Sequence, residues 1–281
     1  MVGVNSRSKL TFNMVVFAVL CVGAALSMIP MLYMAGTAFK GQAYIQEVPP
    51  RLIPERFTLV NFETAFTARN FGRAFVNSMG VAVSVTALVT TLTAMMAYAF
   101  ARFEFRGKNL IFYTILAMMM VPAMMFIIPQ FMVARALSLL DSLPGLVLVY
   151  TAGAMAFNTF LLRGFFESLP RELEESALMD GANHFTIFTR IIVPLSTPAL
   201  STVAVFSFLG AWDEYVWALT VITDAEKRTL PIAIANFRGV HATDWGLIFA
   251  ASLVAVVPTI IIFVLFQRYF VQGLTSGAIK G

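Results

Sequence analysis

The sequence has little charge for its length. Of its 281 residues, only 12% are Asp, Glu, Lys or Arg, against roughly 25% in soluble domains. By contrast, 59% are apolar and the mean hydropathy is +0.82. A soluble globule could not cover so much apolar surface with so few charges. The composition therefore argues against a soluble enzyme, a nucleic-acid-binding protein or a disordered chain, and it indicates a membrane protein.

Side chains that commonly bind metals or carry out catalysis are also scarce. The one cysteine, Cys21, lies in an apolar run, which excludes an intramolecular disulfide and a multi-cysteine metal site. With only His184 and His241 besides, we expect no metal site. The apolar runs contain no nucleophile with a plausible base, so no catalytic residue is predicted. Residues 107–108 are followed by Asn109 rather than Ser or Thr, and so they do not form a phosphate-binding loop.

Six charge-free runs are long enough to cross a membrane. A membrane helix needs about 20 mostly apolar residues, because the hydrocarbon core is about 30 Å thick and each residue rises about 1.5 Å. The first run is too long for the apolar core of a secretory signal, roughly 7–15 residues, and is read as a retained helix. The runs predict one all-α, polytopic domain over residues 1–281, with spans at about 12–38, 74–101, 109–134, 142–162, 193–217 and 245–267.

Basic residues predict the orientation of these spans. Six spans place both termini on one side, and that side also carries the short connection between the second and third spans. Because cytoplasmic connections are rich in Lys and Arg, we expect both termini to be cytoplasmic. The segment 40–73, with five basic residues, would then lie outside, which counts against this orientation, although the rule weakens in longer loops. The supporting residues are Arg7, Lys9, Arg102, Arg106, Lys108 and Arg268.

The connection between the fourth and fifth spans, at about 165–190, has a distinctive pattern. Acids within 172–175 lie near the positive end of a helix dipole, and Gly181 favours a helix stop or a sharp turn. A second helical stretch would place Phe185, Phe188 and Ile192 on one face. An amphipathic helix in the lipid headgroups is one reading, but acids are unfavourable beside anionic lipid. The pattern favours docking into a groove of another protein.

The spacing in this segment carries a family resemblance. The motif Glu175-Ser176-Ala177 is followed after three residues by Gly181, and after nine more by Ile191-x-Val193-Pro194. It resembles the "EAA" loop of permease subunits in binding-protein-dependent ABC importers, which reads Glu-Ala-Ala, three residues, Gly, nine residues, Ile-x-Leu-Pro. Ser176 replaces the first Ala and Val193 replaces the Leu, and both changes are conservative.

Further motifs resemble the carbohydrate-importer branch of that family, and the tail is similar to that of the second permease of maltose-type systems. In that family the tail reaches toward the interface of the ATPase dimer. The motifs are Asn77-Ser78, the segments 97–103 and 105–107, Leu169-Pro170, residues 172–175, Asp180-Gly181-Ala182, Trp212 with Tyr215 and Trp217, and the tail 273–281.

The resemblance implies a type I ABC importer permease fold with a cytoplasmic coupling helix, in a bacterial or archaeal inner membrane. The implied partners are a second six-span permease, a dimer of ATP-binding subunits, an extracytoplasmic sugar-binding protein and membrane lipid. ATP and Mg²⁺ would bind on the ATPase subunits, and this chain would bind no cofactor. The residues implied to couple to the ATPase are Glu172, Glu174, Glu175, Ser176, Ala177, Asp180 and Gly181.

Four polar residues in or near the spans are candidates for the substrate pathway. Asn77 and Asn158 are amides that could contact substrate or form hydrogen bonds between helices. Asp213 and Tyr215 lie beside two tryptophans, where they could bind sugar hydroxyls or belong to an interfacial aromatic belt. Both readings stay open for each residue.

An ion-coupled secondary transporter is the alternative function. Such proteins place ionisable residues near the middle of the membrane to bind the coupling ion. All six runs lack such residues, so the sequence favours the ATP-driven sugar importer.

Overall fold

The chain is helical throughout almost all of the part that the structure describes. The computed structural model describes residues 6–45, 47, 51–67, 70–238 and 243–278. These residues contain no β-strand, only an isolated bridge between Arg238 and Thr243. The N-terminal residues 1–5 and the last residues of the tail motif, 279–281, lie outside them. In these ranges the α-helices are α1 (Ser6–Ala38), α2 (Val60–Thr67), α3 (Phe71–Arg102), α4 (Lys108–Ala117), α5 (Ile127–Ala136), α6 (Leu143–Glu167), α7 (Glu172–Met179), α8 (His184–Ile187), α9 (Val193–Leu195), α10 (Thr197–Trp212), α11 (Val216–Val221), α12 (Leu230–Ala235) and α13 (Trp245–Ala278).

Four of these helices contain a segment that is long and apolar enough to cross a membrane alone: Phe12–Ala38, Phe71–Arg102, Leu143–Glu167 and Trp245–Arg268. Two further candidates are bent pairs, Lys108–Met120 with Ala123–Ala136 at 102°, and His184–Leu195 with Thr197–Trp212 at 80°. The described residues thus provide four spans, or up to six if each bent pair is one span. The all-α class is confirmed, whereas the six predicted span boundaries stay predictions.

A proline lies at or near each break. Val121 is extended, with φ −91° and ψ 125°, because the residue before Pro122 is disfavoured in the helical region. Short 3₁₀ turns, Met118–Met120 and Ala123–Phe126, flank this point. At the second break Pro198 lies in the first turn of α10, where its missing N–H costs nothing.

Contacts divide the chain into two compact units. The first comprises Met1–Arg69 and Ile234–Ala255, and the second comprises Asn70–Ala233 and Val256–Gly281. In the first unit, buried Asn61 donates from Nδ2 to the carbonyl oxygens of Ala38 at 2.8 Å and Lys40 at 2.7 Å. These bonds satisfy the carbonyl of the last residue of α1, which has no helical partner, and a carbonyl two residues further on.

The core of the second unit is α3, which packs against α6 and α10. Val81, Val85 and Val89 recur every four residues on the buried face of α3, as expected for a helix with one apolar stripe against its neighbours. Ser142 is the N-cap of α6, and its Oγ accepts a hydrogen bond from the Gly145 N–H at 3.1 Å. These three helices carry the polar side chains considered next.

Candidate functional site

The segment between α6 and α10 folds as two short helices with a bend at Gly181, as predicted. α7 ends at Met179, and Gly181 has φ +84°, a left-handed conformation that favours glycine. Asn183 then starts α8, because its Oδ1 accepts a hydrogen bond from the Thr186 N–H at 2.8 Å. Pro170 precedes α7 by two residues.

α7 exposes a mixed surface of acids and large apolar side chains. Met179 is 88% exposed, an unusual environment for so apolar a residue, and Ala177 is half-buried. Ser176 donates its hydroxyl hydrogen bond to the Glu172 carbonyl at 2.9 Å, within the same helix. We call the exposed side chains the α7 surface: Glu172, Leu173, Glu175, Ser176, Leu178, Met179 and Asp180.

Glu174 is not part of the α7 surface. The residue is only 8% exposed, and its carboxylate accepts hydrogen bonds from Arg102 and Tyr98 at the end of α3. Among the acids of α7, it is the one that pairs with another side chain of the described residues.

The predicted apolar face of the second short helix is wrong in one residue. Phe185 is 70% exposed, whereas Ile187 and Ile192 are buried. A π-helical turn, Phe188–Ile192, accounts for the difference, because it adds a residue to the turn and shifts the faces of a regular helix.

A cavity of about 330 Å³ lies among α3, α6 and α10. This volume is at the lower end of the range for small-molecule sites. Its walls combine polar groups with aromatic rings, and the rings of Phe157 and Phe206 meet edge to face at 6.4 Å. The side chains that matter here are Tyr150, Phe157, Asn158, Phe206, Ser207 and Glu214.

The polar groups of this cavity fall into two kinds. Glu214 has three donors, since it accepts from the Tyr150 hydroxyl, from the backbone N–H of Trp217 at 2.7 Å and from the backbone N–H of Ala218 at 3.1 Å. In contrast, the buried Asn158 Oδ1 and Ser207 Oγ have no hydrogen-bond partner among the described residues. Buried polar atoms usually have partners, so these two are exceptions among the residues that line the cavity.

The remaining pathway candidates lie elsewhere. Asn77 donates from Nδ2 to the carbonyls of Glu226 at 2.8 Å and Arg228 at 3.0 Å, and it also lines a separate cavity of about 820 Å³ between α3 and α6. Asp213 follows α10 directly and is exposed, as is Tyr215. Neither Asp213 nor Tyr215 lines either of these cavities.

Residues 222–230, which we call the strap, are held by contacts that the sequence analysis missed. Asp141 Oδ1 accepts hydrogen bonds from Thr223 N–H at 2.9 Å and Asp224 N–H at 3.0 Å, and Lys227 Nζ donates to Oδ2 at 3.3 Å. The Asp224 amide, with the Thr223 amide and Lys227, holds the pKa of the Asp141 carboxyl below its usual range. Asp141, in turn, raises the pKa of Lys227.

The beginning of α3 holds the strap from a second direction. Ser78 Oγ accepts a hydrogen bond from the Leu230 N–H at 2.7 Å, next to the two bonds that Asn77 donates. The strap therefore joins α3 to the connection between α5 and α6, and no short-range pattern could have indicated this.

Comparison with known proteins identifies the family. A profile described as "Binding-protein-dependent transport system inner membrane component" matches residues 89–276. The chain belongs to this family. The permease is therefore an inner-membrane component of an ABC importer that works with ATP-hydrolysing subunits and a binding protein.

Two relatives align with the permease over most of its length. The diacetylchitobiose uptake system permease protein NgcG of Streptomyces coelicolor is 36% identical and aligns over 98% of this chain and 91% of its own. The trehalose transport system permease protein SugB of Mycobacterium tuberculosis is 38% identical, with 93% and 95% covered.

A solved structure also matches the permease. A bacterial ABC transporter involved in the import of the acidic polysaccharide alginate has a chain with a TM-score of 0.84 and 25% identity. The match covers 96% of the permease and 100% of that chain. The predicted type I importer permease fold is thereby confirmed, and the ATP-driven importer is favoured over the ion-coupled transporter.

Proposed function

We propose that the permease is the second membrane subunit of a carbohydrate importer and forms half of its translocation pathway. The observation that carries this proposal is its 36–38% identity, over more than nine-tenths of the chain, to permeases named for diacetylchitobiose and trehalose uptake. Its other half would be a second six-span permease, with which it encloses the pathway within membrane lipid. An extracytoplasmic sugar-binding protein would deliver the substrate, and both termini would be cytoplasmic.

The α7 surface would dock on one ATP-binding subunit of a dimer. It combines exposed acids with exposed Leu173, Leu178 and Met179, which suits a groove with an apolar floor and a basic rim. ATP bound with Mg²⁺ on the partner subunits supplies the free energy for closing the dimer. Gly181 and Ala177 would then hold α7 at the angle that docking requires, so that movement of the groove displaces the helix. Only contacts that differ between the two conformations can drive such a switch.

The cavity among α3, α6 and α10 would accept part of a sugar. Asn158 and Ser207 line the cavity, and a side-chain rotation would turn their unpartnered oxygens toward sugar hydroxyl groups, while Phe157 and Phe206 supply flat apolar surfaces. A site built from aromatic walls and a few convergent polar groups is typical of small-molecule binding.

The test is reconstitution of the whole complex. A tagged chain is purified in mild detergent, its partners are identified by mass spectrometry, and the complex is placed in liposomes with ATP inside. We expect an ATP-binding subunit and a second permease to co-purify, and trehalose or another disaccharide to enter only when ATP and the binding protein are both present.

Two outcomes would contradict the proposal. One is recovery of the chain alone in a stable, transport-active form, with uptake that a protonophore abolishes and ATP does not affect. The other is an assembled, ATP-hydrolysing complex whose binding protein binds amino acids or peptides but none of the sugars tested.

A further inference from the structure

One carboxylate of the coupling segment is buried in an ion pair that joins α7 to α3. The Glu174 side chain is 11% exposed and the Arg102 side chain is 7% exposed. Arg102 is the last residue of α3, and Glu174 lies in the first turn of α7. Among the described residues, the other ion pairs near the end of α3 join residues four apart, as in Lys108 with Glu104.

The geometry of the pair fixes α7 from several directions. Arg102 Nε donates to Glu174 Oε1, and Tyr98 OH donates to Oε2 at 3.1 Å. Tyr98 and Arg102 are four residues apart and so lie on the same face of α3. Arg102 Nη2 also donates to the Leu169 carbonyl at 3.0 Å, just before α7 begins. Both carboxylate oxygens and the backbone leading into the helix are therefore held by one end of α3.

Aromatic contacts extend this attachment to the other side of the bend. The Tyr98 ring lies 5.2 Å from that of Phe188 and meets Phe103 edge to face at 5.6 Å. Phe103 in turn meets the ring of His184, the first residue of α8, at 5.0 Å. The end of α3 thus contacts both short helices that flank Gly181.

α3 is also a wall of the cavity. Val85 of α3 lines the cavity and lies about 26 Å along the helix axis from Arg102, at about 1.5 Å per residue. α3 is continuous between these two residues, so a displacement of its end is transmitted along a rigid element. Transmission from α7 to α3 also requires that the two helices keep a fixed position relative to each other.

A buried ion pair fixes the relative position of two helices more effectively than it stabilises the contact between them. The cost of removing both charges from water offsets much of their attraction, so a well-packed apolar pair of similar volume is often as stable. Charged hydrogen bonds with several donors, however, define one position and one orientation. An apolar contact between α7 and α3 would permit sliding that this arrangement opposes.

We propose that Arg102, Glu174 and Tyr98 form the joint that transfers movement of α7 to α3, and that they are positioning residues for coupling ATP hydrolysis to transport. The inference rests on the proposed docking of α7 to an ATP-binding subunit. It separates the acids of α7 by role: those of the α7 surface contact the partner, and Glu174 passes the movement inward.

The test replaces the pair without leaving a buried charge. In the double variant Arg102→Met with Glu174→Leu, the assembled complex is reconstituted, and ATP hydrolysis and sugar uptake are measured on the same liposomes. We expect assembly and ATP hydrolysis to remain within twofold of the parent, while the sugar transported per ATP falls fivefold or more. A ratio within twofold of the parent would overturn the joint and leave the pair a purely structural contact.

The matched control is the ion pair between Arg163 and Glu167, which are both in α6; the Arg163 guanidinium also lies 4.0 Å from the ring centroid of Phe112 in α4, a contact that methionine can keep through its sulfur atom. Arg163→Met with Glu167→Leu should leave the ratio of transport to hydrolysis unchanged, and an equal fall there would count against a specific joint.

Two further outcomes are decisive. If the double variant does not assemble, the Tyr98→Phe variant is measured instead, since it removes the hydroxyl that donates to Glu174 but keeps the ion pair and the aromatic ring. A ratio lowered twofold or more supports the joint, and an unchanged ratio overturns it. If the parent chain captures no ATP-binding subunit, the docking of α7 is contradicted, and the joint, which depends on that docking, is contradicted too. If only the joint is wrong, the parent chain still captures the ATP-binding subunit.

Discussion

Gly181 offers the sharpest test of the bend between α7 and α8. Its φ of +84° is unfavourable for any residue with a Cβ, yet beyond its two chain neighbours no heavy atom of the described residues lies within 4 Å of where a Cβ would stand. Replacement by alanine therefore introduces backbone strain and no steric overlap. The left-handed conformation costs an L-residue roughly 1–2 kcal/mol.

That strain acts on the end of α7. The Gly181 N–H bonds the Leu178 carbonyl at 3.0 Å, and the Ala182 N–H bonds the Ala177 carbonyl at 3.0 Å. Both bonds depend on the turn that a positive φ produces. A cost of about 1–2 kcal/mol changes a conformational equilibrium by about 5–30-fold. We therefore expect Gly181→Ala to lower the sugar transported per ATP by about fivefold or more while the membrane helices still assemble.

Two companion variants separate backbone, bulk and charge. Asparagine tolerates the left-handed region, so Gly181→Asn should retain more coupling than Gly181→Ala despite its larger side chain. Gly181→Asp has nearly the same shape as asparagine but adds a charge beside Asp180, and it should uncouple transport more than Gly181→Asn does.

The assay is the ratio of transport to hydrolysis in liposomes, with co-purification of the ATP-binding subunit as the check on assembly. A Gly181→Ala complex that transports as much sugar per ATP as the parent would refute the reasoning. So would an asparagine variant that is no better coupled than the alanine variant.

Three further predictions concern the α7 surface, the cavity and the strap. Glu175→Lys should reduce co-purification of the ATP-binding subunit several-fold, whereas the same reversal at Glu167, outside α7, should not; equal capture by both variants would place Glu175 in water. Asn158→Leu should lower uptake by up to about tenfold, the equivalent of one hydrogen bond of about 0.5–1.5 kcal/mol, with Thr159→Val as the buried control that does not line the cavity. Asp141→Asn should lower the free energy of unfolding by about 1 kcal/mol near neutral pH, a small value because the site is partly exposed. Because the pKa of Asp141 is lowered on folding, its contribution is complete above the usual carboxyl pKa of about 3.9 and is lost as the pH falls below it. The variant and the parent should therefore converge in thermal unfolding below about pH 4, and a constant difference down to pH 3 would contradict the assigned contacts.

The helical class and the bend at Gly181 could be predicted because each has a local cause. A bilayer requires apolar runs of a certain length, and no other common structure explains six of them in one chain. At the bend, Gly181 and the capping side chain of Asn183 act within a few residues of themselves. Interactions between residues this close in the chain can be recognised from a single sequence.

The breaks in the third and fifth runs were harder to predict, although their prolines were visible. Pro30 and Pro258 lie inside continuous helices, whereas the chain turns by 102° at Pro122. A proline removes one hydrogen bond in every case, and the size of the bend depends on which neighbours satisfy the backbone groups that it frees. Those neighbours are distant in sequence, so composition alone predicts a kink but not its angle.

Acids with the same local signal also acquired different roles through distant partners. Glu172, Glu174 and Glu175 share one helix turn and one dipole, yet Glu174 alone meets Arg102, which lies 72 residues earlier. The strap shows the same dependence, since Asn77 bonds the Glu226 carbonyl 149 residues away. A motif match treats the acids as one docking set, whereas burial divides them into exposed acids, which are free for the proposed partner, and Glu174, which the chain already pairs. The division has a physical consequence: exposed acids can be exchanged at the cost of partner affinity, but an exchange of Glu174 alone leaves Arg102 charged and buried, so it affects folding before it affects docking.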